Sequence, residues 1–274
     1  MMCIWEPFLN ILPPRLRSKI DCAGKETLQE LRLRINAPPE LNMGKKSIWL
    51  KDVIRKEDLQ LCVNTASQYS PWAAASIARG YLTIRGGHRI GLCGEAVCKD
   101  GSVTGIREVR SVNIRIARDY PDIASGVPVQ KSILILGAPG WGKTTLLRDL
   151  ARRISQTETV SVVDEREELY PEGITQGTRM DILSGCPKGQ GIEMVLRSMG
   201  PEWIAVDEIT SAADTEALIR ATHCGVRLLA TAHGTSLEDL RRRTVYQPLI
   251  QMGIFQSILI LDRDKRFRLE RITL

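Results

Sequence analysis

Residues 137–144 read Gly-Ala-Pro-Gly-Trp-Gly-Lys-Thr, a complete G-x-x-x-x-G-K-[ST] phosphate loop. An apolar run, Ser132–Leu136, precedes it, and a helical pattern over Thr145–Ala151 follows. Strand, glycine-rich turn and helix form the context this motif requires. Gly137, Gly140 and Gly142 leave room for backbone N–H groups to wrap phosphates, with Ala138, Pro139 and Trp141 between them and the helix dipole behind Thr145. Lys143 is read as the cation on the β- and γ-phosphates, and the Thr144 hydroxyl as a Mg²⁺ ligand. The spacing therefore predicts binding of a nucleoside triphosphate, ATP with Mg²⁺.

Three further strand ends carry chemistry. Trp203-Ile204-Ala205-Val206 runs into Asp207-Glu208. A carboxylate at a strand tip facing a phosphate loop can hold Mg²⁺, and a neighbouring glutamate can polarise the attacking water. Asp207 is assigned to the metal and Glu208 to the water. Val162-Val163 leads into Asp164-Glu165-Arg166-Glu167-Glu168, so Glu165 is the alternative polarising carboxylate. Thr231-Ala232-His233-Gly234-Thr235 ends a fourth strand, which makes His233 either a γ-phosphate sensor or a turn histidine.

The elements that must position these residues divide at the proline- and glycine-bearing stretch 121–130, read as a linker between domains 1–120 and 131–274. Beyond it, apolar strands at 132–136, 160–164, 203–207, 227–231 and 257–261 alternate with helices near 143–155, 189–199, 213–224 and 236–247. Continuous apolar strands between helices predict an α/β domain with a mainly parallel sheet covered on both faces. The first part reads as a smaller α+β domain, partly helical over 25–34 and 56–67, with β-like runs at 81–84, 89–92 and 113–116. The net charge of +6 is one-sided: 19 Lys/Arg against 13 Asp/Glu before residue 131, and 19 against 19 after it. A basic half points either to an anionic partner or to a plain solvated basic surface. Seven irregularly spaced cysteines match reduced thiols rather than a zinc site or disulfide framework. Without a membrane-length apolar run or a leader pattern, the expectation is a cytoplasmic chain that meets membranes through partners.

The order of phosphate loop, acidic box (162–168), strand ending in glutamate (203–208) and histidine box (230–235) resembles the secretion and traffic ATPases, the RecA-like motors of type II and type IV secretion and pili. Leu31–Asn36, Gly86–Gly94, Ser184–Gly189 and Arg197–Pro201 carry a narrower likeness to the stage III AA sporulation family of endospore-forming bacteria. The resemblance implies a RecA-like core and ATP hydrolysis in a homo-oligomeric, hexameric ring. It also implies membrane-bound partners in the channel between mother cell and forespore. Arg89 and Arg115 resemble the arginines that reach nucleotide from the N-terminal domain of those motors, with Arg107, Arg110 and Arg118 as competitors. Asp207 stands where the secretion motors usually carry glycine, and the histidine box holds a single histidine. The loop 185–191, with three glycines and a proline, has no assigned part in the phosphate chemistry and is read as a connector or a partner-facing turn. The rival functions are a nucleic-acid motor and a nucleotide-gated scaffold. The first is disfavoured by 5% aromatic content with no basic–aromatic interleaving, the second by the intact Glu208.

Overall fold

Leu31 and Leu33 alternate with Glu30, Arg32 and Arg34, and a period of two belongs to a strand, not to the helix expected over 25–34. The computed structural model describes residues 3–44, 46–68, 74–78, 80–171 and 173–271. One unit comprises Met1–Asp119 with Pro171–Ile174, the other Tyr120–Tyr170 with Thr175–Leu274.

The first unit contains α1 (Trp5–Asn10), α2 (Pro14–Gly24), β1 (Glu30–Arg34), β2 (Glu40–Asn42), β3 (Ser47–Trp49), α3 (Lys56–Ala66), α4 (Ala74–Ala78), β4 (Tyr81–Ile84), β5 (His88–Lys99) and β6 (Ser102–Arg115). Its sheet runs β3-β2-β1-β6-β5-β4, each neighbouring pair antiparallel. One register row, Leu82–Ile90–Ile114–Leu31–Leu41, is buried with Phe8, Leu16, Ile20 and Leu59 from the helices. The adjacent row, Thr83–Arg89–Arg115–Glu30–Asn42, faces away from that core. Such a one-sided sheet is what alternating strands without parallel crossovers produce.

The second unit contains β7 (Ile133–Gly137), α5 (Lys143–Ile154), β8 (Val160–Asp164), β9 (Met180–Ser184), α6 (Lys188–Ser198), β10 (Trp203–Val206), α7 (Ala212–His223), β11 (Arg227–His233), α8 (Leu237–Arg241), α9 (Gln247–Gln251), β12 (Ser257–Leu261) and β13 (Phe267–Arg271). The sheet order is β13-β12-β7-β11-β10-β8-β9, parallel throughout except for β13 on β12. Every residue of β7, β8 and β10 is buried. That explains why their sequences are mainly apolar rather than alternating, with Ser161 and Asp164 the polar residues of β8. The helix expected over 236–247 is instead two short ones, α8 and α9. The turn 242–246 separates them, and Pro248 is the second residue of α9, in the first turn, where proline is tolerated. The edge strands β9 and β13 have no counterpart in the sequence reading.

In an open parallel sheet, ligands bind beyond the carboxyl ends of the strands. The order β7-β11-β10-β8 lines up at that end the phosphate loop, His233, Asp207 with Glu208, and Asp164. Residues scattered over 137–233 thereby become neighbours.

Candidate functional site

Between β7 and α5, the phosphate loop turns through Gly140 and Gly142, both left-handed, Gly142 with φ 98° as the N-cap of α5. A side chain at Gly142 would meet the steric penalty of that region, and the turn aims the first N–H groups of α5 at the loop. Leu146, Leu147, Leu150 and Ala151 bury one side of α5 and anchor it to the sheet.

Lys143 is 7% exposed. Its ammonium donates to the Ala138 carbonyl at 3.1 Å and to His233 Nδ1 at 3.0 Å. An ammonium has no acceptor, so Nδ1 must accept and the imidazole proton lies on Nε2. That nitrogen faces Glu208 Oε1 at 3.0 Å. His233 thus joins the phosphate-loop lysine to the glutamate assigned to water. It can do so because its Cα pairs with Gly137 across β11 and β7. Burial pulls the Lys143 ammonium below the usual lysine pKa, while the Asp207 and Glu208 charges oppose that shift.

The Thr144 hydroxyl donates to Asp207 Oδ2 at 2.8 Å. Asp207 Oδ1 accepts from the buried Thr231 hydroxyl at 2.6 Å, and Thr231 Oγ in turn accepts the Glu208 N–H at 2.8 Å. Glu208 has φ 47°, a left-handed conformation that costs a non-glycine residue about 1–2 kcal/mol. Its side chain also meets the exposed Arg166 at 3.1 Å.

Asp164, 2% exposed, accepts the amides of Glu168, Leu169 and Tyr170 and so folds the acidic loop back on the strand. Burial pushes its carboxyl up to about 6, with Asp207 adding to the rise and the Leu169 and Tyr170 amides opposing it. Glu165 lies at 3.2 Å from Lys188 Nζ, the first residue of α6. The same ammonium donates to the Glu208 carbonyl at 2.7 Å. The loop 185–191 therefore enters the site, which the sequence reading did not foresee. An unpaired lysine beside glycines gave no period or spacing that would have signalled it. Thr231 was missed for the same reason.

Beside the phosphate loop, Tyr120, Trp141, Thr145, Leu261, Lys265 and Phe267 line a mainly apolar cleft within the second unit. Phe267 comes from β13, so sequence patterning could not include it.

Arg89 and Arg115 face each other across β5 and β6. The Arg89 guanidinium lies 4.0 Å from the Tyr81 ring centroid, and Arg115 is 3.3 Å from Glu30. Of the competitors, Arg118 donates to the Leu28 and Lys25 carbonyls, and Arg107 pairs with Glu95. Among the described residues, no cluster of three or more His, Cys, Asp or Glu forms a metal site, and no helix is long and apolar enough to cross a membrane.

Residues 6–269 match the family described as "Sporulation stage III, protein AA". The chain is 41% identical to the stage III sporulation protein AA of Bacillus subtilis over 277 aligned positions, covering 93% of this chain and 90% of the relative. The solved ATPase DotB of Legionella pneumophila superposes with a TM-score of 0.60 at 17% identity, covering 95% of this chain and 80% of DotB. The pilus retraction motor PilT, solved with bound ADP, superposes with a TM-score of 0.61 at 17% identity, covering 88% and 76%. At that identity the likeness is one of fold: a RecA-like α/β core preceded by a smaller α+β unit. With a family profile spanning nearly the whole sequence and a relative at 41% identity covered over 90% of its length, the chain belongs to the sporulation stage III protein AA family.

Proposed function

We propose that the chain is the ATP-hydrolysing subunit of a secretion-type motor serving a sporulation channel complex. The observation that carries the reading is the continuous hydrogen-bonded path Lys143–His233–Glu208 beside the Thr144–Asp207 pair. Backbone N–H groups of 137–145 and the Lys143 ammonium receive the triphosphate. The base enters the cleft of Tyr120, Trp141 and Phe267.

Thr144 and Asp207 offer two hard oxygen donors already 2.8 Å apart, a pair suited to Mg²⁺ completed by phosphate oxygens and water. Bound there, Mg²⁺ would neutralise charge on the β- and γ-phosphates. Glu208 accepts a proton from the attacking water as its oxygen bonds to the γ-phosphorus and the bond to the bridging oxygen breaks, giving ADP and phosphate. His233, linked to both Lys143 and Glu208, reports the phosphate state to the base. Glu165, held by Lys188, is the alternative acceptor. An arginine of the first unit, Arg89 or Arg115, supplies transition-state charge in a ring of identical subunits, expected to be hexameric. The family and the secretion-motor fold support a peripheral, cytoplasmic position, docked on membrane-bound partners of the channel.

Steady-state turnover of the purified chain with ATP and Mg²⁺ tests this. Lys143→Ala should abolish binding or hydrolysis. Glu208→Gln should keep nucleotide bound but lower kcat by about 10²–10⁴-fold, the usual contribution of a general base. Parental turnover in both variants would refute the reading. A loss in Glu165→Gln but not in Glu208→Gln would move the base to Glu165.

A further inference from the structure

Lys188 is a buried cation to which the hydrolytic scheme above gives no part beyond holding Glu165. It is 4% exposed and begins α6 in the middle of the glycine-rich stretch 185–191. Its ammonium reaches three elements: the Glu208 carbonyl after β10 at 2.7 Å, Glu165 after β8 at 3.2 Å, and Asp214 in the first turn of α7 at 3.8 Å. A lysine so deeply buried is costly unless its donors are satisfied, and here all the acceptors border the site.

The glycines of the loop put it there. A Cβ on Gly191 would lie 2.5 Å from Val163 Cγ1 of β8 and 2.8 Å from Cys186 Sγ, so only glycine lets the first turn of α6 sit this close to the strand. Asp214 is itself tied to the amides of Thr210 and Ser211 in the capping box of α7. The segment 207–214 is therefore fastened at both ends, and Lys188 spans it.

The carbonyl that Lys188 holds belongs to the left-handed peptide of Glu208. The N–H of the same residue is held by Thr231 Oγ. A strained conformation at an active site persists only where its surroundings over-determine it. Thr231 and Lys188 clamp this residue from its two sides, and its carboxylate is thereby left facing His233.

We infer that Lys188 is a positioning residue: its ammonium clamps the Glu208 carbonyl so that Glu208 serves as the proton acceptor, while the same ammonium engages the rival carboxylate Glu165. This rests on the hydrolytic reading above. The role requires a point donor at one place. An arginine would keep the charge but not the geometry, since its planar fork is not interchangeable with an ammonium in a closed slot.

The test uses the full chain carrying Lys188→Met or Lys188→Arg, with two readouts. In ATP turnover, Lys188→Met should lower kcat at least ~10-fold while KM stays within ~3-fold, the pattern of a lost transition-state contribution rather than of lost binding. Lys188→Arg should show the same split. In hydrogen exchange followed by mass spectrometry, amides of residues 207–211 should exchange at least ~10-fold faster in both variants, while those of β7 and β10 keep parental protection as proof of folding. If the methionine variant loses β7 and β10 protection, the arginine variant carries the test. Parental kcat and parental 207–211 exchange in Lys188→Arg would reduce Lys188 to charge balance and overturn the proposal. So would a raised KM with kcat unchanged. A parent protein that turns over no ATP would sink the hydrolytic reading instead, and the exchange of 207–211 would then decide by itself whether Lys188 holds the Glu208 peptide.

Discussion

Asp164 is the residue of the site whose carboxyl chemistry burial alters strongly. Its folded pKa, raised from 3.8 to about 6, exceeds the unfolded value, so the native state binds the extra proton between those limits. Stability from this group is full below about pH 4, is lost as pH rises toward 6, and stays lost above that, an effect on the order of 2–3 kcal/mol for a shift of this size. His88 acts oppositely: burial lowers its pKa, so its contribution is present at higher pH and lost as pH falls through the ordinary histidine range. A comparison with Asp164→Asn cancels His88. The parent's stability relative to that variant, measured by urea denaturation without Mg²⁺ or nucleotide, should decline between pH 4 and 6.5 and then level. A flat difference would mean that Asp164 is not buried as described. The absolute offset should favour the parent at low pH, because an asparagine presents only one acceptor oxygen where Asp164 takes three amides on two.

At the scale of elements, α5 and the hairpin β12–β13 build the two sides of the cleft proposed to seat the nucleotide. Besides presenting the phosphate loop, α5 gathers the segment after Tyr120: Asp149 accepts the amides of Asp122 and Ala124 at 3.0 and 2.8 Å, and Arg153 donates to the Ala124 and Val127 carbonyls. Tyr120 is thereby brought to the cleft that Trp141 and Phe267 share. Aromatic walls hold a base by stacking, and every base has a π-face. Phe267→Ala should weaken ATP and GTP binding alike, by about 1–3 kcal/mol each, the range found for loss of a base–aromatic contact. ATP and GTP affinities of the parent should differ by less than about tenfold, since discrimination requires hydrogen bonds to base edges that stacking does not supply. Calorimetry with both nucleotides checks this, and an unchanged ATP affinity in Phe267→Ala would remove the base from the cleft.

At the scale of the whole molecule, the charge excess has to be placed. All of the +6 lies before residue 131. On the first unit's polar sheet face, Arg89 and Arg115 stand side by side, with Glu30 beside Arg115 and the Tyr81 ring under Arg89. If they serve a nucleotide as arginine fingers, alanine at either position should cut kcat by about 10³-fold or more with little change in nucleotide affinity. Action in trans has a sharper signature. Mixing an Arg115→Ala subunit with a Lys143→Ala subunit should recover turnover that neither shows alone, because one kind of mixed interface keeps both groups. Parental turnover in both arginine variants within an assembled ring would assign the basic face to docking on an acidic partner.

In one dimension the chain already displays the phosphate-loop spacing at 137–144, the acidic ends of two strands and the parallel α/β pattern of residues 131–274. The reason is that each depends on local spacing: glycines around a turn, apolar runs of strand length, a carboxylate just past the last buried residue. Where local patterns mislead or fall silent, the outcome was set by which elements pack together in three dimensions. Period-two residues 30–34 became a strand once β6 paired with them, and the helix expected over 236–247 is broken by the turn at 242–246 between α8 and α9. The strand order set His233 beside Gly137 although 96 positions separate them, and it set Thr231 against both Asp207 and Glu208. Lys188 came from a loop whose glycines look like a plain connector in one dimension. The close packing they permit between α6 and β8 exists only in three.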